Sequence, residues 1–241
     1  MRSETAASAG RWGVRVALLT AFGVSGLAGL AYQIAWSRML GRSFGATAPA
    51  IATVLAVFMG GLGLGALVAG RRAGRLAPSR ALYVYALVEV AVAAAGLAAP
   101  TVLLASADAY AALAGLLGTG ALSRGLSRAA VALLALGPAT FLMGTSLPLL
   151  TRALDVLAAG TARPVGVLQA VNVGGALLGS YLTGLVLLPA LGDTATTRIA
   201  AGASLLAAAL AASVAGRLRH HAGPEVPSDV RGARPPPALL A

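Results

Sequence analysis

Residues Ser25 to Gly70 hold the feature that most restricts what this chain can fold into. One apolar segment ends at Tyr32-Gln33-Ile34-Ala35-Trp36, a short polar turn carries Arg38 and Arg42, and a second apolar segment runs about 22 residues to a glycine-dense end. An apolar helix of about 20 residues crosses a hydrocarbon core about 30 Å thick. In lipid only a helix or a closed barrel satisfies its own backbone. Two such segments joined by an arginine-bearing turn therefore predict a transmembrane hairpin, and the rest of the chain repeats the unit.

Composition agrees. Of the 241 residues 58% are hydrophobic and 10% charged, against about 25% charged in soluble domains. All 18 basic residues are arginine, and the net charge is +11. A basic balance can point to nucleic acid. Here the arginines sit in short loops between apolar runs, so they read as topological signals and no nucleic-acid partner is expected. Cysteine is absent, which rules out disulfides and thiolate metal sites.

The expected order is a polar tail over 1–12, six spans, and a disordered tail over 217–241. The spans fall at about 14–36, 48–70, 81–105, 129–150, 165–190 and 195–215. Arg11 and Arg15 before the first run suggest a signal peptide, but the run is long and lacks a cleavage site, so it is expected to stay as the first span. Residues 106–127 are expected as a longer loop with an interfacial helix, 151–163 as a loop, and Asp193 as a tight turn. Counting alternate loops puts 13 arginines on the side of both termini and 5 on the other. The positive-inside rule then places both termini in the cytoplasm of a multi-pass cell-membrane protein.

A shift of 114 residues aligns the chain with itself. Arg38 falls on Arg152, Gly60-Gly61 on Gly174-Gly175, Gly65 on Gly179 and Gly70 on Gly184, with 11 identities over positions 38–70. The repeat unit is three spans, so the second copy enters the membrane from the opposite side, as in transporter folds built from inverted repeats. The expected fold is an all-α membrane protein of two inverted three-helix repeats, resembling half of a major facilitator fold.

Glu89 is the one acidic residue inside an expected span. An ionised carboxylate there needs a cavity or a partner. Gln169 and Asn172 are three apart and share a helix face. Glu89 lies nine residues past Arg80 and Asn172 nine past Arg163, about 13 Å into the bilayer in each case. Glu89 and Asn172, at equal depth, are candidates with the nearby Gln169 for one solute or proton site, with the Asn172 amide donating to the carboxylate. Gly60, Gly61, Gly65, Gly174, Gly175 and Gly179 are expected to let helices approach closely. Tyr32 and Trp36 are expected as interfacial anchors, and Arg38 as an interfacial charge. His220 and His221 lie in the tail, so an intramembrane serine protease, which needs a histidine in a span, is not expected. No catalytic residue, metal site or cofactor is expected.

Several stretches together resemble one family. They are Ser25-Gly26-Leu27-Ala28-Gly29-Leu30, Tyr32-Gln33 through Trp36 and Arg38, and Phe58-Met59-Gly60-Gly61. Tyr85-Ala86-Leu87-Val88-Glu89, Met143-Gly144-Thr145-Ser146-Leu147-Pro148, Asn172 with Gly174-Gly175, and Leu187-Leu188-Pro189-Ala190-Leu191-Gly192 complete them. They resemble the membrane domain of fused major-facilitator-like/spermidine synthase proteins, over about residues 20–215. That family carries a soluble aminopropyltransferase-like domain after the membrane region. This sequence ends about 25 residues after the sixth expected span, without the glycine-rich turn and acidic residue of a nucleoside-binding fold. Arg71 also stands where the major-facilitator loop signature has an aspartate. The resemblance implies a transporter-like protein for a small cationic solute such as a polyamine. Its alternatives are a membrane anchor for a separate synthase-like subunit, or a truncated membrane-bound synthase. Expected partners are the lipid bilayer and either a second copy of the chain or such a subunit.

Overall fold

The computed structural model describes residues 2–118, 120–154 and 163–221, with side chains over 12–118, 120–154 and 165–217. Every element described is a helix, and no strand occurs among the described residues. They are α1 (Arg2–Phe44), α2 (Ala48–Ala73), α3 (Pro78–Leu117), α4 (Ala121–Leu154), α5 (Arg163–Leu182), a π-helical turn (Thr183–Leu187) and α6 (Leu188–His221). Five stretches are long and apolar enough to cross a membrane: Trp12–Phe44, α2, α3, α4 and the continuous run Val165–Arg217. The chain is accordingly a multi-pass membrane protein. Its surface is compatible with a lipid environment, since large apolar side chains such as Leu87, Leu104, Leu134 and Leu177 are exposed on these helices.

Glycine and proline set the helix limits. Gly45, at φ 80°, separates α1 from α2, and Pro49 sits in the first turn of α2. Pro78 opens α3 at its first position, where its missing N–H has no helical partner to lose.

Several limits differ from those expected. The tail over 1–12 is helical from Arg2. The loop expected over 106–127 is helical on both sides of residues 118–120. Residues 106–117 are rich in alanine and leucine, so Asp108 and Gly115 do not stop a helix already propagating. Gly118, at φ 88°, does stop it. With 40 residues, α3 is about 60 Å long and outruns the hydrocarbon core. The loop expected over 151–163 is helical over 151–154 and again at Arg163, and the disordered tail expected from 217 is helical as far as His221, because the alanine- and leucine-rich helices propagate past the apolar runs; the rest of both lies outside the described residues.

The run from Val165 to Arg217 is not one straight rod. Gly192 has φ 75° and ψ −179° inside α6, a conformation that side chains disfavour. Before it, Gly175 meets the backbone of Gly23 and Gly179 that of Leu27, so α5 runs parallel to α1. Beyond it, Asp193 reaches Arg38 and Arg42 near the end of α1. Gly216, near the end of α6, lies beside the Tyr83 hydroxyl at the start of α3. The chain therefore reverses direction at Gly192.

The helices pack as α2 on α4, α1 on α5, α3 on α6, α3 on α4 and α1 on α6. The core includes Leu18, Phe22, Tyr32, Trp36, Tyr85 and Leu136. Small residues bring helix backbones together, as helix association in lipid favours. A Cβ on Gly61 would strike Thr140, one on Gly65 the carbonyl of Phe141, one on Gly175 the carbonyl of Gly23, and one on Gly179 that of Leu27. Gly60 and Gly174 do not share this role, because a Cβ on either meets nothing within 4 Å. Each lies one residue, about 100° of helix rotation, from the glycine that makes the contact.

Candidate functional site

Glu89 lies in the first third of α3 and is 2% exposed. Its Oε1 accepts a hydrogen bond from Ser25 Oγ of α1 at 2.6 Å. The hydroxyls of Tyr85, Ser204 and Ser146 also surround its carboxylate, and among the described residues no cation stands beside it. Four helices thus converge on one carboxylate: α1 through Ser25, α3 through Tyr85, α4 through Ser146 and α6 through Ser204. Ser146 Oγ and Ser204 Oγ face the carboxylate but close no hydrogen bond, and the hydroxyl of Tyr32 beside them is equally unpartnered. All three residues are buried. Buried polar groups are ordinarily paired, so three orphaned hydroxyls around a lone carboxylate mark an unusual site.

A cavity of about 260 Å³ lies between α1, α2, α4 and α5. Its polar wall consists of Ser25, Gln33, Ser146, Gln169 and Asn172, against apolar Phe58, Met59 and Met143. Ser25 and Ser146 belong to both places: they line the cavity and stand against Glu89. The carboxylate is therefore separated from the cavity by a single layer of hydroxyls.

The sequence-predicted residues divide accordingly. Gln169 and Asn172 share the cavity wall. Glu89 stands behind that wall, and the expected amide-to-carboxylate hydrogen bond does not form. Asn172 Nδ2 instead donates to the Phe22 carbonyl of α1 at 3.0 Å. The cause is the close packing of α1 on α5, which puts that carbonyl within reach of the amide. Tyr32 and Trp36 are not interfacial anchors. They are 0% and 1% exposed and stack with ring centroids 4.8 Å apart. Arg38 is a charge partner: it and Arg42 hold Asp193. The arginines are more than half exposed, so this pair contributes at most about 1 kcal/mol and its main effect is to fix the position of the Gly192 reversal.

From sequence, Ser25, Tyr85 and Ser146 figure only within the family-like stretches, with no role at a site, and Ser204 not at all. A serine in a span bonds readily to its own helix backbone and leaves no spacing signature. Only the packing reveals that these four reach one carboxylate. Among the described residues no group of three or more His, Cys, Asp and Glu could hold a metal ion. Comparison with protein-family models, with curated proteins and with solved structures finds no match to this chain.

Proposed function

We propose that this protein is a transporter-like membrane protein whose six crossings form two inverted three-helix halves around a solute cavity. The observation that carries this reading is Glu89, a buried carboxylate with no cationic neighbour among the described residues, one hydroxyl layer from a cavity. Intramembrane carboxylates mark solute, ion or proton pathways.

The packing pattern supports the arrangement. Exchanging α1 with α4, α2 with α5 and α3 with α6 turns α2 on α4 into α5 on α1, and α3 on α4 into α6 on α1, while α3 on α6 maps to itself. Every one of these pairs is observed. The register follows the 114-residue shift as well: Gly65 abuts Phe141, and the equivalent Gly179 abuts the equivalent Leu27. The cavity is walled by the first two helices of each half, as expected for a site at a repeat interface. A straight Val165–Arg217 helix of 53 residues would be about 80 Å long, so the reversal at Gly192 supports two crossings there. The arginine distribution favours cytoplasmic termini.

The solute class follows from the chemistry. A carboxylate, two amides of the second half and Gln33 favour a small cation, and the family resemblance makes a polyamine the first to test. Purified protein in liposomes preloaded with unlabelled spermidine should accumulate labelled spermidine by counterflow, above protein-free vesicles. A folded, correctly inserted protein with no flux of any small cation would overturn this reading in favour of a membrane anchor.

A further inference from the structure

The three orphaned hydroxyls around Glu89 point to a specific occupant. Tyr32, Ser146 and Ser204 are 0%, 3% and 1% exposed and come from α1, α4 and α6. None has a hydrogen-bond partner. Ser146 and Ser204 face the Glu89 carboxylate, and Tyr32 faces Ser204. A proton on Glu89 would supply one donor and satisfy one of these oxygens. A metal cation seated among them would engage several oxygens together and neutralise the carboxylate. The donor set is hard oxygen throughout, with no imidazole or thiolate, which suits an alkali or alkaline-earth ion rather than a transition metal. A single carboxylate balances one positive charge, so a divalent ion would leave a net charge buried. Ser25 already donates to Glu89 Oε1, which leaves the other carboxylate oxygen for a ligand.

We infer that Glu89, Ser146, Ser204 and Tyr32 form a binding site for a dehydrated monovalent metal cation, Na⁺ being the probe, placed behind the solute cavity and sharing Ser146 with it. The site is built from both halves of the chain, since α1 and α3 supply Tyr32 and Glu89 while α4 and α6 supply the serines. Occupancy therefore ties the halves together. Through Ser146 it also reaches the cavity wall. The inference names the ion of the site on which the transport reading rests, but binding is an equilibrium property that is measurable without flux.

The test is equilibrium binding of ²²Na⁺ to the purified full-length protein in detergent, in a choline buffer of constant ionic strength. One saturable Na⁺ per chain is expected. Glu89→Gln keeps the side-chain shape and abolishes binding. Ser204→Ala removes one oxygen and weakens binding at least about tenfold. Trp36, stacked on Tyr32, supplies a second readout in a Trp12→Phe background, where its fluorescence should change with the same Na⁺ midpoint. Absence of saturable ²²Na⁺ binding to the wild-type protein overturns the inference, as does binding that survives Glu89→Gln unchanged. Na⁺ binding without flux leaves this site standing and removes the transport reading; flux without Na⁺ binding does the reverse.

Discussion

Gly65→Ala, the addition of one methyl group, strips the protein of its folded state, whereas Gly60→Ala leaves it intact or slightly more stable. The two positions are on the same helix, five residues apart, and both lie in an apolar segment. They differ in what a Cβ meets. At Gly65 it overlaps the carbonyl oxygen of Phe141 and comes within 3.1 Å of the Gly144 Cα, all backbone atoms of α4. No rotamer change relieves this, so α2 must move away from α4 along their whole contact. Overpacking relieved by side chains costs about 1–3 kcal/mol; a clash between backbones exceeds that. At Gly60 the Cβ enters open space, and alanine is favoured over glycine within a helix by up to about 1 kcal/mol. Gly179→Ala and Gly174→Ala should reproduce the contrast in the other half, where Gly179 meets the Leu27 carbonyl and Gly174 meets nothing. Size-exclusion profiles and melting of the detergent-solubilised variants decide it. A Gly65→Ala protein that is monodisperse and melts like the wild type would contradict the α2–α4 packing.

Glu89→Gln reduces solute flux to the level of protein-free vesicles while the protein still inserts and melts close to the wild-type temperature. Glutamine keeps the length of the side chain and a carbonyl oxygen to accept from Ser25, so the local hydrogen bond survives. The negative charge does not. If that charge attracts a cation from the cavity through the Ser25 and Ser146 layer, its removal eliminates the driving interaction. Ser25→Ala should have a smaller effect, since it removes a positioning hydroxyl and leaves the carboxylate. Flux measured against the amount of inserted protein checks both. Unimpaired flux in Glu89→Gln would remove the carboxylate from the mechanism.

The class of the protein was legible in the sequence because bilayer thickness imposes a length and an apolar composition that few soluble helices share. The close-packing role of Gly61, Gly65, Gly175 and Gly179 was legible too, since spacing by four places glycines on one face. Gly60 and Gly174 were misread, because adjacency in sequence is a rotation of about 100° on a helix. Glu89 stood out by its rarity in an apolar run. Its neighbours did not, because hydroxyls in a span are common and cheap. Tyr32 and Trp36 were misplaced for a related reason: an amphipathic aromatic near the end of a span commonly sits at the interface, and only the packing of Tyr32 against α3 and α6 and of Trp36 against α3 and α4 shows that these two point inward. The loop expected over 106–127 was lost to helix propagation, which one aspartate and one glycine in an alanine-rich stretch do not interrupt.

On the proposed arrangement, six crossings in opposed halves place Glu89, the hydroxyl cluster and the cavity between the two repeats. The chain has no cysteine, so single cysteines report topology without further engineering. The measurement is labelling of intact cells with a membrane-impermeant maleimide, applied to Ser43→Cys in the last turn of α1, Ser79→Cys in the first turn of α3, and Thr194→Cys just beyond Gly192. Labelling of Ser43→Cys and Thr194→Cys from outside is predicted, with Ser79→Cys labelled only after the membrane is opened. Protection of Thr194→Cys in intact cells, with Ser43→Cys labelled, would put the Gly192 reversal on the wrong side and contradict the six-crossing, two-half account.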